Sequence, residues 1–473
     1  MTDEAHRPDG DMSRQSTDTD NPAIQTARDA ATAAPAVPLI APRDGTPPPT
    51  EDAAGLARAI SALSGAHGPV AIDAERASGY RYSSRAYLVQ LRRGDSGTVL
   101  LDPLPFGDLS GLAVAIADEE WVLHAASQDL PCLSEIGLRP TRLFDTELAA
   151  RLAGYERVGL AALTESLLGY SLEKHHSAAD WSTRPLPESW LTYAALDVEL
   201  LVDLRNLLAD ELARQGKTEW AAEEFASLVT HGGAPPRVRP DPWRRTSGIH
   251  RVRGARALSR VRSMWYARDS VASRRDTAPG RVLADAALIA AAEMDPRDER
   301  ALLLLPGFGG RSVRRLASTW LSALDEARAL PNDQLPVPVA NDGPPPAHRW
   351  AERDPAAAAR LARARGAVNA IAAEHNLPPE NLITPDTVRR VVWEPPAEPT
   401  VEAVGGALRS HGARAWQVGL VAAAIADALS TPEPTPPASA PLPEPPTTPT
   451  SPTSPTPTSP TPAPAGPPPD DPS

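Results

Sequence analysis

Apolar residues in the first half of the chain recur in two rhythms. Short apolar runs at residues 70–73, 86–91, 99–101 and 121–123 have strand length, whereas residues 160–168 and 190–212 repeat their apolar positions at helical spacing. Strands interspersed with helices predict an α/β domain built on a mixed sheet with flanking helices. Beyond residue 250 only the helical rhythm remains. Residues 255–273 carry Leu258, Val261, Met264 and Trp265 at helical spacing, and the leucine run 302–305, followed by Pro306-Gly307-Phe308-Gly309, opens a turn and a further helix. Residues 361–373 and 416–429 are rich in Ala, Leu and Val. The pattern predicts an α/β domain at 51–235 and all-α bundles at 251–332 and 349–430, with proline-marked linkers at 236–250 and 333–348.

Composition adds the flanks. A chain of 473 residues is too long for one ordinary domain, and its 54 prolines gather largely toward the ends. Residues 1–50 are polar, acidic and rich in Ala and Pro, and residues 431–473 form a Pro/Thr/Ser tract. Both termini are therefore expected to be disordered, the tail being polyproline-like and either passive or a segment for a protein partner. Cys132 is the single cysteine, so no intrachain disulfide is available. The N-terminus lacks the basic and apolar regions of a signal peptide, and no stretch approaches the ~18 consecutive apolar residues of a spanning helix. A cytoplasmic protein without a membrane role is expected.

A net charge of -13 argues, taken alone, against a nucleic-acid partner. The distribution qualifies that conclusion. Arginines crowd residues 237–281, with only Asp241, Asp269 and Asp276 opposing them. Within this stripe Arg251, Arg253, Arg256 and Arg260 are candidate phosphate contacts. The alternative is a solvated helix face, which the scarcity of interleaved acids disfavours.

The candidate chemistry lies in the α/β region. Asp73 and Glu75 stand two apart at the end of an apolar run, and in a strand such neighbours point to one face. Tyr193 and Asp197 stand four apart in a helical segment and share a face of it. Asp129 follows the run 121–123 closely, near a strand-to-helix junction. Acids clustered without Cys or His suit hard, oxygen-seeking cations, and a pair of such ions is what phosphodiester hydrolysis uses to activate water and neutralise a leaving 3′ oxygen. His124 reads as a hydrogen-bonded structural residue and stays outside the set.

In this order and window, Asp73 and Glu75, then Asp129, then Tyr193 and Asp197, resemble the three motifs of ribonuclease D, of the DEDDy class of 3′-to-5′ exonucleases. Two further stretches carry the resemblance. Residues 174–186 are similar to a family segment before the third motif, and Leu143-Phe144-Asp145-Thr146 with Ala149-Ala150-Arg151-Leu152 is similar to the family helix after the second. The resemblance implies a ribonuclease H-like sheet, two bound divalent cations (Mg²⁺ or Mn²⁺) on Asp73, Glu75, Asp129 and Asp197, and a water-positioning role for Tyr193. RNA is the implied substrate, with tRNA precursors as its class. Residues 251–332 resemble the HRDC module, an auxiliary nucleic-acid-binding unit, and 349–430 resemble by position a second HRDC-like domain. Lys174, Trp181 and Arg184 either clamp RNA phosphate or brace a loop. Where relatives often carry an aromatic or apolar residue after the paired acids, this chain has Arg76, a candidate substrate contact whose effect on base stacking is open.

Overall fold

The computed structural model describes residues 35–172, 176, 178–234, 240–337 and 343–431. The tail 432–473 and residues 1–34 therefore lie outside the described residues, as does Lys174.

The α/β domain is built on strands β2 (Val70–Arg76), β3 (Ala86–Arg93), β4 (Thr98–Leu101), β5 (Glu120–Leu123) and β6 (Arg142–Asp145). Their order is β4-β3-β2-β5-β6, with β2, β3 and β4 antiparallel and β5 and β6 parallel to β2. This is the mixed sheet expected. Residues 143–145, matched above to a helix, form most of β6 instead, and the helix Thr146–Leu152 begins directly after it. The helical stretch near residue 200 is two helices, Glu188–Glu199 and Leu201–Arg214, because Leu200 leaves the helical conformation.

Alternation along β2 separates two jobs. Val70, Ile72 and Ala74 enter a core with Leu63, Leu112 and Leu133, whereas Ala71 packs with Val122, Val198 and Leu201 on the other face. Asp73 and Glu75 share the face of Ala71. That face carries the helix Glu188–Glu199, so strand and helix place their polar residues toward each other.

Residues 35–50, expected to be disordered, run along this domain. The two-residue strand β1 (Val37–Pro38) pairs in parallel with β7 (Tyr170–Ser171), and Thr50 bridges to Leu101. Thr46 Oγ1 lies 2.8 Å from Thr192 Oγ1. These attachments connect residues distant in sequence, which local composition does not register.

The first helical bundle packs Ala255–Arg275, Asp285–Met294 and Ala317–Ala329 around Phe308 and Trp320. Gly307 has φ +88° and a Cβ there would meet Ala287 Cβ at 2.6 Å, so the turn of the Pro306-Gly307-Phe308-Gly309 run requires glycine. Residues 240–250, read above as linker, contain two short 3₁₀ turns, and Trp243 is buried in this bundle's core. The bundle docks on the β2–β3 loop: Ala278 N donates to Tyr80 O at 3.0 Å, and Arg281 Nε donates to Gly79 O at 2.8 Å.

The second bundle is continuous with the α/β domain. Its helices Pro355–Glu374, Pro385–Trp393, Val401–Ser410 and Ala415–Ser430 share one buried cluster with Phe144, Leu204, Leu208 and Phe225. Trp220 stacks on Trp416 at 4.9 Å, and Lys217 Nζ donates to Leu152 O and to His375 O, each at 2.7 Å.

Candidate active site

The carboxylates of Asp73, Glu75 and Asp197 each offer an oxygen within 4.8 Å of the others. Strand β2 supplies two of them and the facing helix the third, in the arrangement the spacing implied. Asp129 enters from the turn after β5. It lines the same cleft of about 430 Å³ with Tyr193, Arg76, His124, Gly159 and Leu160.

The turn that delivers Asp129 is strained and clamped. Ala125 has φ 57°, a left-handed conformation uncommon for a residue with a side chain. Asp145 holds it there: its carboxylate accepts from Ala125 N at 3.1 Å and Ala126 N at 2.9 Å, and also caps the next helix through Glu147 N and Leu148 N. Asp145 is a positioning residue that sequence reasoning did not single out. The signal was present in Phe144-Asp145-Thr146-Glu147, an acid at a strand-to-helix junction where helix caps are favoured.

Arg76 also joins the cleft through a backbone irregularity. Strict alternation would turn it to the opposite face from Glu75, but the β2–β3 register shifts between Glu75 and Arg76. The extra residue there is Tyr87 of β3, and regular pairing ends at this point. Arg76 Nη2 lies within 3.6 Å of Asp129 Oδ1.

Electrostatics mark the cluster as a place for positive charge. Burial pushes the Asp73 carboxyl up to about 6, despite a backbone hydrogen bond and Arg76, which oppose the rise. Burial and the Asp73 charge push Asp129 up to about 8, against Arg76. Glu75 and Asp197 are raised well above the usual carboxylate range, first by burial and then by neighbouring carboxylates. Mutual repulsion of this kind is relieved by a bound cation, and an all-oxygen donor set fits a hard divalent one. Burial and adjacent carboxylates also raise the Tyr193 phenol. His124 is pushed down to about 4 by burial and sits with Nδ1 2.9 Å from Thr146 Oγ1. It is a neutral, hydrogen-bonded wall residue.

The remaining candidates divide. Trp181 is fully buried beside Tyr87, Leu191 and Ala194, which removes it from the surface RNA would touch. Arg184 Nε donates to Asp102 Oδ2 at 2.6 Å, while its other nitrogens reach Tyr87 O and Trp181 O, each at 2.8 Å. It braces the loop. Arg256 donates to Leu330 O at 2.6 Å and Asn332 Oδ1 at 2.7 Å, and Arg260 to Ala292 O at 2.6 Å. Both tie their helix to the exits of neighbouring helices, whose carbonyls lack intrahelical partners. Arg260 also pairs with Asp295 at 3.6 Å, and these partners lie on other elements, so counting acids near the arginines in sequence could not find them. Arg251 and Arg253 are exposed.

Residues 49–213 match a family model described as a 3′-5′ exonuclease, residues 257–324 match the HRDC domain, and residues 343–429 match a 3′ to 5′ exonuclease C-terminal domain. The chain is 34% identical to Ribonuclease D of Gluconacetobacter diazotrophicus over 336 residues, covering 69% of this chain and 81% of that one. It is 32% identical to Ribonuclease D of Granulibacter bethesdensis, covering 71% and 83%. Among solved structures, a protein from Bifidobacterium adolescentis superposes with a TM-score of 0.78 at 38% identity, covering 84% of this chain and all of that one. Escherichia coli RNase D, whose structure is titled as an exoribonuclease involved in structured RNA processing, superposes with a TM-score of 0.58 at 25% identity, covering 77% and 97%.

Proposed function

The chain belongs to the ribonuclease D family of 3′-to-5′ exoribonucleases, and from that premise we propose that it trims structured RNA precursors, tRNA foremost, releasing one nucleoside monophosphate per cut. The observation that carries the reading is the convergence of Asp73, Glu75 and Asp197 within 4.8 Å. Two divalent cations, Mg²⁺ or Mn²⁺, held by these three and Asp129 would supply an acidified water and a counter-charge for the departing 3′ oxygen.

The chain's own residues do the placing. Tyr193 donates a hydrogen bond to the Asp197 carboxylate, which leaves the phenolic oxygen free to accept a hydrogen bond from the attacking water. Arg76 faces the same cleft and offers a cation to the phosphate oxygens. Water adds to phosphorus, the bond to the 3′ oxygen breaks, and the shortened RNA keeps a 3′ hydroxyl. The whole metal-ligand set is present, which favours an enzyme over a silent RNA-binding adaptor. No described helix is long and apolar enough to cross a membrane, and the cytoplasm is the proposed place of action.

The test is digestion of matched RNA and DNA oligomers, labelled at either end, with Mn²⁺ present. Mononucleotides from an RNA 3′ end are expected. Preferential digestion of DNA would move the function to repair, and binding without cleavage would favour the adaptor.

A further inference from the structure

The side chain most at odds with its surroundings is Gln90, in the middle of β3. It is fully buried, and among the described residues neither its Oε1 nor its Nε2 has a hydrogen-bond partner. Burying an amide in this way is costly, and a group so placed in a native protein calls for a functional reason. An apolar side chain of similar length would carry no such cost.

The sheet narrows what the amide can serve. Gln90 stands directly opposite Asp73 in the antiparallel β2–β3 pair, with Leu88 opposite Glu75 and Arg92 opposite Ala71. Opposed residues share a face with Cβ atoms about 4.5–5.5 Å apart, which puts Gln90 beneath the helix Glu188–Glu199 and beside the first acid of the cluster. On its other side it pairs with Leu100 of β4. Leu88 and Leu100 pack with Leu191, Ala194 and Ala195 of the helix, so they offer the amide nothing polar. Arg92, the next residue of β3 on this face, can only donate, and it already meets Asp44 and Thr98, each at 3.0 Å. Among these strand neighbours Asp73 alone has a side chain that accepts. The helix above brings one rival carboxylate, Glu199, which is held by Arg92 at 3.5 Å and by Arg43, on the arm of residues 35–50, at 3.3 Å.

We propose that Gln90 is a positioning residue for the cation site, its Nε2 donating to the Asp73 carboxylate and holding it in the orientation that receives a divalent ion. The inference rests on the two-cation reading above. An ionised carboxylate accepts and does not donate, so only the Nε2 end of the amide can serve it. Carboxylates that bind metals are held from behind by such hydrogen bonds, and losing one lowers metal affinity roughly ten- to a hundredfold. Glu75, opposed by Leu88, receives no such support from β3. The two acids of β2 thus differ: one is braced by the sheet and the other is not.

The test is Mn²⁺ binding to the full-length protein without RNA, measured by calorimetry. Gln90→Met keeps the length of the side chain and removes both polar ends. It is expected to weaken Mn²⁺ binding about tenfold, while the unfolding midpoint in EDTA holds or rises, since a buried amide has been exchanged for an apolar group. A side chain that merely packs would give the opposite pair of results. Gln90→Asn, which keeps the amide but draws it back from Asp73 by one methylene, is expected to lose Mn²⁺ affinity as well. Unchanged Mn²⁺ affinity in either variant overturns the proposal, as does a loss in Gln90→Met accompanied by a lower midpoint. A loss that disappears once Glu199→Gln is also present would make Glu199 the partner and overturns it too. Absence of Mn²⁺ binding to the unsubstituted protein would overturn the two-cation reading and this proposal with it, an outcome distinct from a loss confined to the Gln90 variants.

Discussion

Arg76 Nη2 stands 3.6 Å from Asp129 Oδ1, joining the residue after the paired acids of β2 to the acid delivered by the turn after β5. The pair forms where the β2–β3 register shifts after Glu75. The guanidinium tempers the negative charge of the cluster and lines the same cleft, where we propose that it meets the phosphate. Arg76→Ala is therefore expected to raise KM for RNA roughly tenfold, the scale of one charge-assisted contact. Mn²⁺ affinity, read by calorimetry, should hold or tighten, since a competing cation is gone. Weaker Mn²⁺ binding would show that Arg76 supports the ligand set instead.

Tyr193→Phe keeps the ring and removes only the hydroxyl. Its loss should lower kcat by roughly 100-fold, as for other groups that position a proton at the reacting atom, while RNA affinity stays the same. Equal loss of binding would assign the ring to packing.

Asp145→Ala removes four backbone hydrogen-bond acceptances at once. Loss of the helix cap alone costs about 1–2 kcal/mol, and release of the turn at Ala125 should displace Asp129. Chemical denaturation should show the stability loss, and kcat should fall together with Mn²⁺ affinity. Intact activity in a destabilised variant would limit Asp145 to capping.

Lys217 links the α/β domain to the second bundle through two carbonyls, and burial pushes its ammonium down to about 8 from an ordinary lysine value. Between the folded and unfolded values the unfolded chain binds more protons, so this group's contribution to stability rises with pH across that window. The stability gap between the unsubstituted protein and Lys217→Met should shift in favour of lysine between pH 7.5 and pH 10, tested by urea unfolding. A gap independent of pH would mean that the amine titrates as it does in water.

The arginine stripe splits into braces and exposed charges. Arg256→Gln should cost about 1 kcal/mol of stability, as expected when half-buried carbonyls lose a charged donor, and leave the salt dependence of RNA binding unaltered. Arg251→Gln with Arg253→Gln should do the reverse and flatten that dependence, because fewer counterions are released. A flatter slope from Arg256→Gln would restore it as a phosphate contact.

The acids that make the cluster were legible because strand period and helix period alone aim Asp73, Glu75, Tyr193 and Asp197. The mixed sheet followed from apolar runs of strand length. What stayed hidden depends on partners remote in sequence. Arg256 is satisfied by Leu330 O, Trp181 packs into a core built from Tyr87 and Leu191, and the arm is tied down by Thr192 and Glu199. The shared core of the second bundle is similar: its Ala- and Leu-rich helices read as a separate module until Phe225 and Leu208 are seen to pack with them.

The central claim, that the carboxylate cluster cuts RNA with the help of divalent cations, is tested most directly by a time course on 5′-labelled RNA. With Mn²⁺ the label should sit on products that shorten one nucleotide at a time from the 3′ end. Excess EDTA should stop the ladder, added Mn²⁺ should restart it, and folded Asp73→Asn or Asp197→Asn should produce none. Undiminished cutting in EDTA, or a normal ladder from Asp197→Asn, would contradict it.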